Sequence, residues 1–443
     1  MPEGFCIINL GCKVNRVDAD FMAATLAAGG HTARPAAEAA VIVVNTCTVT
    51  AEADSKARKA VRQAARQPHN PQVIVTGCAV NIAPDVWKSL AANVLAIPDK
   101  TAACQLADKL LSPPIPAEPG GGNGCLATGS RGAAGCRPAG AQAVSDAPFS
   151  RTQTRTRVVL KVQDGCDNHC AYCIVPAARG NARSVPLAQI SEQAQSHAAA
   201  GVREIVLCGI NLGAYCSDGQ DLVGLLQALL AHTEQTRFRL SSIEPQDVNQ
   251  KLLTAIANSD SRICAHLHLP LQSGSNHVLS AMQRPYDTAG FARLVADARE
   301  LLPKVALSTD VIVGFPGESE ADFQQTLEFC RRMGFSRMHV FRYSRRPGTR
   351  ADAMPNQVPP TVKASRAAQL HLLADELLAA DALSRLSDVE QVLVEKRGQG
   401  TSESYHRIQV PDNLRPGSLL PLRFTSWSAN LIQAESANSA DGA

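Results

Sequence analysis

The first hundred residues alternate short apolar runs, rich in β-branched residues, with alanine-rich stretches of helical pattern. The apolar runs have the length of buried strands, and strands that alternate with helices are typical of a parallel sheet. We therefore predict a small, doubly wound α/β domain over residues 1–111. The predicted strands are Phe5–Leu10, Val41–Asn45, Val73–Thr76 and Val94–Ile97, and the predicted helices are Asp18–Ala28 and Ala51–Arg66.

A second series of alternating strands and helices occupies residues 155–345 and continues into an amphipathic helix over Thr361–Leu386. Six strand-helix units suit a partial (β/α)6 barrel better than a closed barrel of eight strands. We assign residues 151–386 to this second domain. Its predicted strands are Val158–Val162, Glu204–Leu207, Arg237–Ser241, Ala265–Leu269, Ala306–Val313 and Met338–Tyr343.

The remaining segments have other patterns. Residues 387–436 break into short apolar runs separated by turn signals, which predicts a small all-β module. Residues 112–150 are rich in Pro, Gly, Ser and Ala and have almost no apolar pattern. Such a segment buries too little surface to offset its ordering entropy, so we predict a flexible linker or a surface insertion.

Composition and charge exclude several classes of protein. The chain has 443 residues and a net charge of +3, so a bulk electrostatic attraction to nucleic acid is excluded, although a local basic patch is not. No apolar run approaches a membrane span, and the start does not resemble a secretion signal. We expect a cytoplasmic protein without a membrane partner. In a reducing compartment the 14 cysteines predict buried residues, reactive thiols or metal ligands, not disulfides.

Three cysteines lie within eight residues, directly after the predicted strand Val158–Val162. We name Cys166, Cys170 and Cys173 the loop cysteines; their spacing is C-x3-C-x2-C. A [4Fe–4S] cluster with three thiolate ligands keeps one iron open for another molecule, whereas structural zinc takes four ligands. The alternatives are a zinc site completed by His169 and chance clustering.

Three more cysteines, Cys12, Cys47 and Cys78, each follow one of the first three predicted strands. We name them the strand-end cysteines. Parallel strands bring their carboxyl ends to one edge of a sheet, where open α/β folds bind ligands. The spacing therefore allows a second three-ligand metal site, and it equally allows three buried core cysteines.

The loop cysteines together with Tyr172 resemble the radical S-adenosylmethionine superfamily. With the strand-end cysteines and the C-terminal β module, the whole chain outside 112–150 is similar to the methylthiotransferase family of that superfamily, whose C-terminal module is called TRAM. The resemblance implies two [4Fe–4S] clusters and S-adenosyl-L-methionine as cofactors. The loop cysteines would hold the cluster that cleaves S-adenosylmethionine to a 5′-deoxyadenosyl radical. The strand-end cysteines would hold the cluster that supplies sulfur, and a second S-adenosylmethionine would donate the methyl group.

Further segments at predicted strand ends match this family, and the resemblance implies that they bind S-adenosylmethionine. They are Cys208–Gly213, Ser241–Pro245, His266–Ser275 and Ser308–Glu318. A glycine lets backbone approach a ligand closely, and carboxylates or amides suit ribose hydroxyls and the methionine ammonium group. The expected cofactor contacts are Tyr172, Gly209, Glu244, Gln272 and Asp310.

Three subgroups of the family are open, and short motifs distinguish them. Gly11-Cys12-Lys13-Val14-Asn15 resembles the subgroup that modifies N6-threonylcarbamoyladenosine at position 37 of tRNA, next to the anticodon. The alternatives act on N6-isopentenyladenosine of tRNA or on a ribosomal-protein aspartate. The resemblance also implies a tRNA partner and a reductant such as flavodoxin or ferredoxin.

Contacts with RNA must come from local features. The segment Arg331–Arg350 contains seven arginines, no acidic residue and three aromatic residues, a combination that suits phosphate contact and base stacking. We expect Arg342, Arg345 and Arg346 to face RNA, and the alternative is a solvated basic surface. A competing hypothesis of another class is a non-catalytic RNA-binding protein with structural zinc.

Overall fold

A computed structural model describes residues 3–112 and 156–437. The described residues form two compact units. The first holds residues 3–10, 18–46 and 56–112, and the second holds 11–17, 47–55 and 156–437. The linker predicted over 112–150 lies, apart from Ser112, outside the described residues. Within the described residues, we find no helix that combines the length and the apolar character required to cross a membrane.

The first unit is built on a parallel sheet with the strand order β1-β2-β3-β4. All four predicted strands of this region are confirmed. The first helix begins at Lys13, five residues before its predicted start. The elements are β1 Phe5–Asn9, α1 Lys13–Ala28, β2 Val41–Thr46, α2 Ala51–Ala65, β3 Gln72–Gly77, α3 Cys78–Ile82, α4 Pro84–Lys88, β4 Val94–Ala96 and α5 Lys100–Leu111.

Helices cover both faces of this sheet. Met22 of α1 packs on the face that carries Val43, whereas Val61 of α2 packs on the opposite face of β2. After α1 the chain returns along the outer edge of β1, where Ala33 forms a parallel bridge with Phe5, before it crosses to β2. The bridge takes the place of a strand outside β1, so the winding direction reverses between β1 and β2. The doubly wound prediction is confirmed.

The second unit contains six parallel strands in two sheets, β5-β8-β9 and β10-β11-β12. Bridges between Phe238 and Ile263 and between Ser242 and His268 join the sheets, which confirms the partial six-stranded barrel. The elements are β5 Arg157–Lys161, β6 Gln163–Asp164, α6 Val175–Arg179, β7 Arg183–Ser184, α7 Leu187–Ala199, β8 Glu204–Cys208, α8 Leu222–His232, β9 Arg237–Leu240, α9 Gln250–Ala257, β10 His266–His268, α10 Asn276–Ala281, α11 Thr288–Leu301, β11 Ala306–Val313, α12 Glu320–Met333, β12 Arg337–Arg342 and α13 Pro360–Ser384.

Local sequence sets the bounds of these helices, and α12 is the clearest case. Ser319 and Asp322 form a reciprocal capping box at its start, and Gly334 takes the left-handed conformation, with φ 58°, at its end. The helices bury an aliphatic face against the strands, with Leu225, Leu253 and Phe323 among the residues that solvent does not reach. The side chains at the strand ends are therefore held on a rigid frame.

The C-terminal module is a small closed barrel with the order β13-β14-β15-β17-β16. Val392, Val394, Ile408 and Phe424 form its core. This architecture confirms the all-β, TRAM-like prediction. The strands are β13 Val389–Lys396, β14 Gln399–Ser402, β15 Arg407–Gln409, β16 Leu419–Ser428 and β17 Leu431–Ser436.

Candidate active site at the end of strand β5

The loop that carries the loop cysteines is fixed by a buried amide. Gln163 is fully buried, and its Nε2 donates a 2.8 Å hydrogen bond to the Gly165 carbonyl. Its Oε1 accepts bonds of 2.9 Å from the backbone N–H groups of Ile210 and Asn211, which follow β8. One side chain thus ties together the loops that leave two neighbouring strands. This role of Gln163 was not predicted from the sequence.

Gly165 has a conformational reason to be glycine. Its φ is +72°, and a Cβ there would lie 1.9 Å from the Asn181 carbonyl oxygen. Any larger residue would push the loop out of place just before Cys166.

Backbone N–H groups already point at two of the thiols. Asn168 N–H lies 3.4 Å from Sγ of Cys166, and Val175 N–H lies 3.4 Å from Sγ of Cys173. Burial raises the pKa of Cys166, and it raises the pKa of Cys173 to about 12. A metal bound by these thiols would have to displace their protons. Three soft sulfur donors on one loop fit an iron–sulfur cluster bound through three thiolates.

An arginine lies beside the thiol of Cys170. Arg284 Nη1 lies 3.0 Å from Sγ of Cys170, and its guanidinium forms an ion pair with Glu244 and stacks 4.9 Å from the Tyr286 ring centroid. Glu244, expected to contact the cofactor, is therefore bound to a cation beside the loop. Sequence reasoning missed Arg284, which follows the matched segment His266–Ser275 by nine residues.

A cavity of about 190 Å³ opens beside the loop. Three of the five expected cofactor contacts line it, namely Tyr172, Gln272 and Asp310. Gln272 takes a left-handed φ of +67° and donates its backbone N–H to the Asp310 carbonyl at 2.8 Å. Gly209 instead packs against Gln163, since a Cβ at Gly209 would lie 2.9 Å from the Gln163 Oε1. The remaining lining residues are Val49, Thr50, Cys173, Ile174, Val175, Ile312, Phe341, Arg342, Tyr343 and Ser344.

The strand-end cysteines follow three neighbouring strands. Cys12 comes three residues after β1, Cys47 directly follows β2, and Cys78 directly follows β3 and begins α3. The strands are in register, because Asn9 pairs with Asn45 and Asn45 pairs with Thr76. The winding direction reverses between β1 and β2, the position at which open α/β sheets bind ligands beyond their carboxyl ends.

The three expected RNA contacts have different surroundings. Arg342 is exposed at the end of β12, beside Phe341, which is 43% exposed. The Arg345 guanidinium is exposed and pairs with Asp352 at 2.9 Å. Arg346 is only 7% exposed, and its guanidinium binds Asp54 at 2.5 Å and Thr48 at 2.6 Å. The expectation for Arg346 is therefore corrected, because a buried and paired guanidinium presents no surface to RNA.

The aromatic residues of the same segment divide in a similar way. Phe335 is fully buried and Tyr343 is 5% exposed, so both are core residues, and only Phe341 of the three is accessible for stacking.

Comparisons with known proteins agree with this geometry. Residues 160–330 match the model of the radical SAM superfamily, and residues 4–97 match an uncharacterized protein family, UPF0004. A solved radical SAM methyltransferase, TsrM from Kitasatospora setae with cobalamin and a [4Fe–4S] cluster bound, has a TM-score of 0.56 at 14% identity. The match covers 80% of this chain and 74% of TsrM and establishes a shared fold. The class is that of a radical SAM protein.

Curated relatives define the family within that class. The threonylcarbamoyladenosine tRNA methylthiotransferase MtaB of Thermotoga maritima is 38% identical over 81% of this chain and 79% of its own length. The MtaB of Bacillus subtilis is 36% identical over 91% and 87%. A tRNA-2-methylthio-N(6)-dimethylallyladenosine synthase of Sphingopyxis alaskensis is 31% identical over 98% of both chains. The chain belongs to the methylthiotransferase family of radical SAM enzymes.

Proposed function

We propose that this enzyme converts N6-threonylcarbamoyladenosine at position 37 of tRNA to its 2-methylthio derivative. The observation that carries the proposal is the pair of three-cysteine sets, one on the loop after β5 and one at the ends of β1, β2 and β3. Four relatives with 32–38% identity that bear the threonylcarbamoyladenosine name support this substrate, whereas dimethylallyladenosine synthases match at 31%.

The proposed cofactors are two [4Fe–4S] clusters and S-adenosylmethionine. The loop cysteines would hold one cluster, and the strand-end cysteines would hold the other. Bound together, a reduced cluster and S-adenosylmethionine supply a carbon-centred radical, which this reaction needs because the C2–H bond of adenosine is inert to acid–base chemistry.

The protein's own residues fix the position of this site. Gln163 and the left-handed Gly165 fix the path of the loop, and Arg284 donates to Cys170. A buried hydrophobic cluster that includes Ala171, Met282, Phe315 and Tyr343 covers one side of the loop. Tyr172, Gln272 and Asp310 offer hydroxyl, amide and carboxylate groups to S-adenosylmethionine in the cavity.

Partners and location follow from the same reaction. We propose tRNA as the substrate, a reductant such as flavodoxin or ferredoxin as the electron donor, and a cytoplasmic location. Arg342, Arg345 and Phe341 are accessible to the RNA. Replacing dithionite by a reduced flavodoxin or ferredoxin in a turnover assay tests the electron donor, and a lack of turnover with both would contradict it.

The decisive experiment is nucleoside mass spectrometry of tRNA from a strain that lacks this gene. We expect 2-methylthio-N6-threonylcarbamoyladenosine to disappear and its unmodified precursor to accumulate. The wild-type gene should restore the product, whereas alanine at all three loop cysteines or at all three strand-end cysteines should not. Cys216→Ala, at an exposed cysteine of neither set, is the matched control. Disappearance of the dimethylallyl product instead would assign the enzyme to the other tRNA subgroup.

Iron content tests the cofactors independently of the substrate. Anaerobically reconstituted protein should be brown and contain about eight iron atoms per chain, and each triple alanine variant should retain about four. Only the variant that lacks the loop cysteines should lose S-adenosylmethionine cleavage. A colourless protein that contains zinc and no iron would favour the zinc-binding, non-catalytic alternative.

A further inference from the structure

A column of polar side chains runs through the interior of the partial barrel. The Ser308 hydroxyl lies 3.0 Å from Nε2 of His266 and 2.9 Å from Nδ1 of His268. Nε2 of His268 lies 3.2 Å from the Asp310 carboxylate, which lines the cavity. His339 faces the same space, within 4.8 Å of both His268 and Asp310. These polar side chains form a line that begins at Asp310 in the cavity lining and ends at His266.

The other end of this column is surrounded by cations. Tyr405, in the turn between β14 and β15, packs against His266 with ring centroids 4.9 Å apart and the ring planes tilted by 49°. Four cations face the Tyr405 ring: Arg239 at 4.7 Å, Arg337 at 5.4 Å, and Lys13 and Arg157 at 5.8 Å each from its centroid. Four cationic side chains are thus gathered around one ring at this end of the barrel.

Two of the four cations pair with carboxylates and two do not. Arg239 and Arg157 pair with the buried Glu204, and Arg157 also pairs with Glu395 at 2.6 Å. Within the described parts of the chain, no carboxylate lies within 4.0 Å of the Lys13 ammonium or the Arg337 guanidinium. Lys13 is exposed and Arg337 is only partly buried, so both can reach a ligand.

Neighbouring groups respond to these two charges. Burial lowers the pKa of His339, Asp310 raises it, and His268, Arg337 and Lys13 lower it further. Arg337 and His339 are two residues apart on β12, so their side chains lie on the same face of the strand. Arg337, whose Nη2 also donates to the Tyr405 carbonyl at 3.4 Å, therefore lies on the same side of β12 as His339.

We propose that Lys13 and Arg337 form a subsite that binds the threonyl carboxylate of the substrate nucleoside. This inference rests on the proposed function. An ammonium and a guanidinium together provide charge-assisted hydrogen bonds to one carboxylate. A dimethylallyl substituent carries no charge and would leave both cations unpaired, so the same two residues select against that substrate. Lys13 also directly follows the strand-end cysteine Cys12 in the chain, which places the selecting group next to the proposed site of sulfur supply.

The test compares two RNA probes that differ by one charge. Both are fluorescein-labelled anticodon stem-loops, one with N6-threonylcarbamoyladenosine and the other with its methyl ester. Anisotropy titrations with the reconstituted holoenzyme give the affinity for each. We expect the wild type to prefer the acid between about tenfold and a hundredfold. Lys13→Met and Arg337→Gln should each remove most of that preference, and Lys13→Arg should retain it. Lys251→Met, at an exposed lysine of α9, is the matched control.

The other outcomes separate the two proposals. If Lys13→Met and Arg337→Gln both bind the two probes with the wild-type preference, the subsite is refuted. An equal loss of affinity for both probes refutes it as well, because it assigns the cations to backbone phosphate. If the wild type methylthiolates the acid probe but the variants still prefer the acid to the methyl ester, only this inference is refuted. A wild type that methylthiolates neither probe refutes the proposed function.

Discussion

Three guanidinium groups converge on one acidic residue, Glu204 at the start of β8, and its removal should be strongly destabilising. Glu204 is fully buried, and Arg237 and Arg239 are each 1% exposed. Its carboxylate accepts hydrogen bonds from Arg237 Nε at 2.6 Å and from Arg239 Nε at 3.1 Å, and Arg157 lies 3.6 Å away. Glu204→Gln keeps the size of the side chain and leaves buried cations without their counter-charge.

The expected loss is about 3–5 kcal/mol in the free energy of unfolding, the usual cost of breaking a buried ion pair on one side. Urea unfolding followed by Trp427 fluorescence measures it, in a Trp87→Phe background where Trp427 is the only tryptophan. Arg397→Ala is the matched control, because Arg397 and its partner Asp412 are 3.7 Å apart and mostly exposed. We expect the control to change stability by less than about 1 kcal/mol.

The effect should also depend on pH in a defined direction. Burial alone would raise the pKa of Glu204, but Arg239 and Arg237 outweigh it and hold the pKa well below its ordinary value. A depressed folded-state pKa contributes stability above the unfolded-state pKa, and that stability is lost as the pH falls. The difference in free energy of unfolding between wild type and Glu204→Gln should therefore have its whole value at pH 7 and shrink progressively below about pH 4.5. A difference in free energy of unfolding that is below about 1 kcal/mol at pH 7, or that increases as the pH falls, would refute the reasoning.

Two further predictions concern the loop and the basic segment. Gly165→Ala places a Cβ 1.9 Å from the Asn181 carbonyl and should lower iron from about eight to about four atoms per chain, whereas Gly201→Ala, with nothing within 4 Å, should keep it. Arg342→Ala should weaken stem-loop binding and reduce the slope of log affinity against log salt by about one. Arg346→Ala should leave that slope unchanged and lower the thermal unfolding temperature, and a reduced slope would restore Arg346 as an RNA contact.

The strands were predictable because each is a compact run of β-branched residues between turn or helix signals. Val41–Thr46 and Ala306–Val313 are clear examples, and both were located within one residue. The start of α1 could not be predicted in this way, because no Ser, Thr, Asp or Asn directly precedes Lys13 to signal a helix cap. The spacing of the loop cysteines identified the site for the same local reason, since all three ligands lie on one short segment.

The residues that sequence reasoning missed are those whose partners are distant in the chain. Gln163 bonds to backbone 47 and 48 residues away, and Arg284 reaches Cys170 across 114 residues. In the sequence Arg342 and Arg346 look alike, and only the contact of Arg346 with Asp54, 292 residues away, separates a buried arginine from an exposed one. A single sequence states residue types and local spacing, and it contains no record of such pairings.

The C-terminal module shows how a long-range contact changes the interpretation of charge. Residues 387–436 hold five basic and six acidic residues, a poor composition for a module expected to bind RNA. In the structure, backbone carbonyls at Gln391, Thr401, Ser402 and Glu403 accept hydrogen bonds from Arg237 and Arg239 of the barrel. These neutral acceptors satisfy guanidinium N–H groups that Glu204 leaves unbonded, and the same turn delivers Tyr405 to the end of the polar column. The module therefore completes the barrel interior mainly through backbone groups, beside the ion pair of its Glu395 with Arg157, so its net charge is a poor guide to this role.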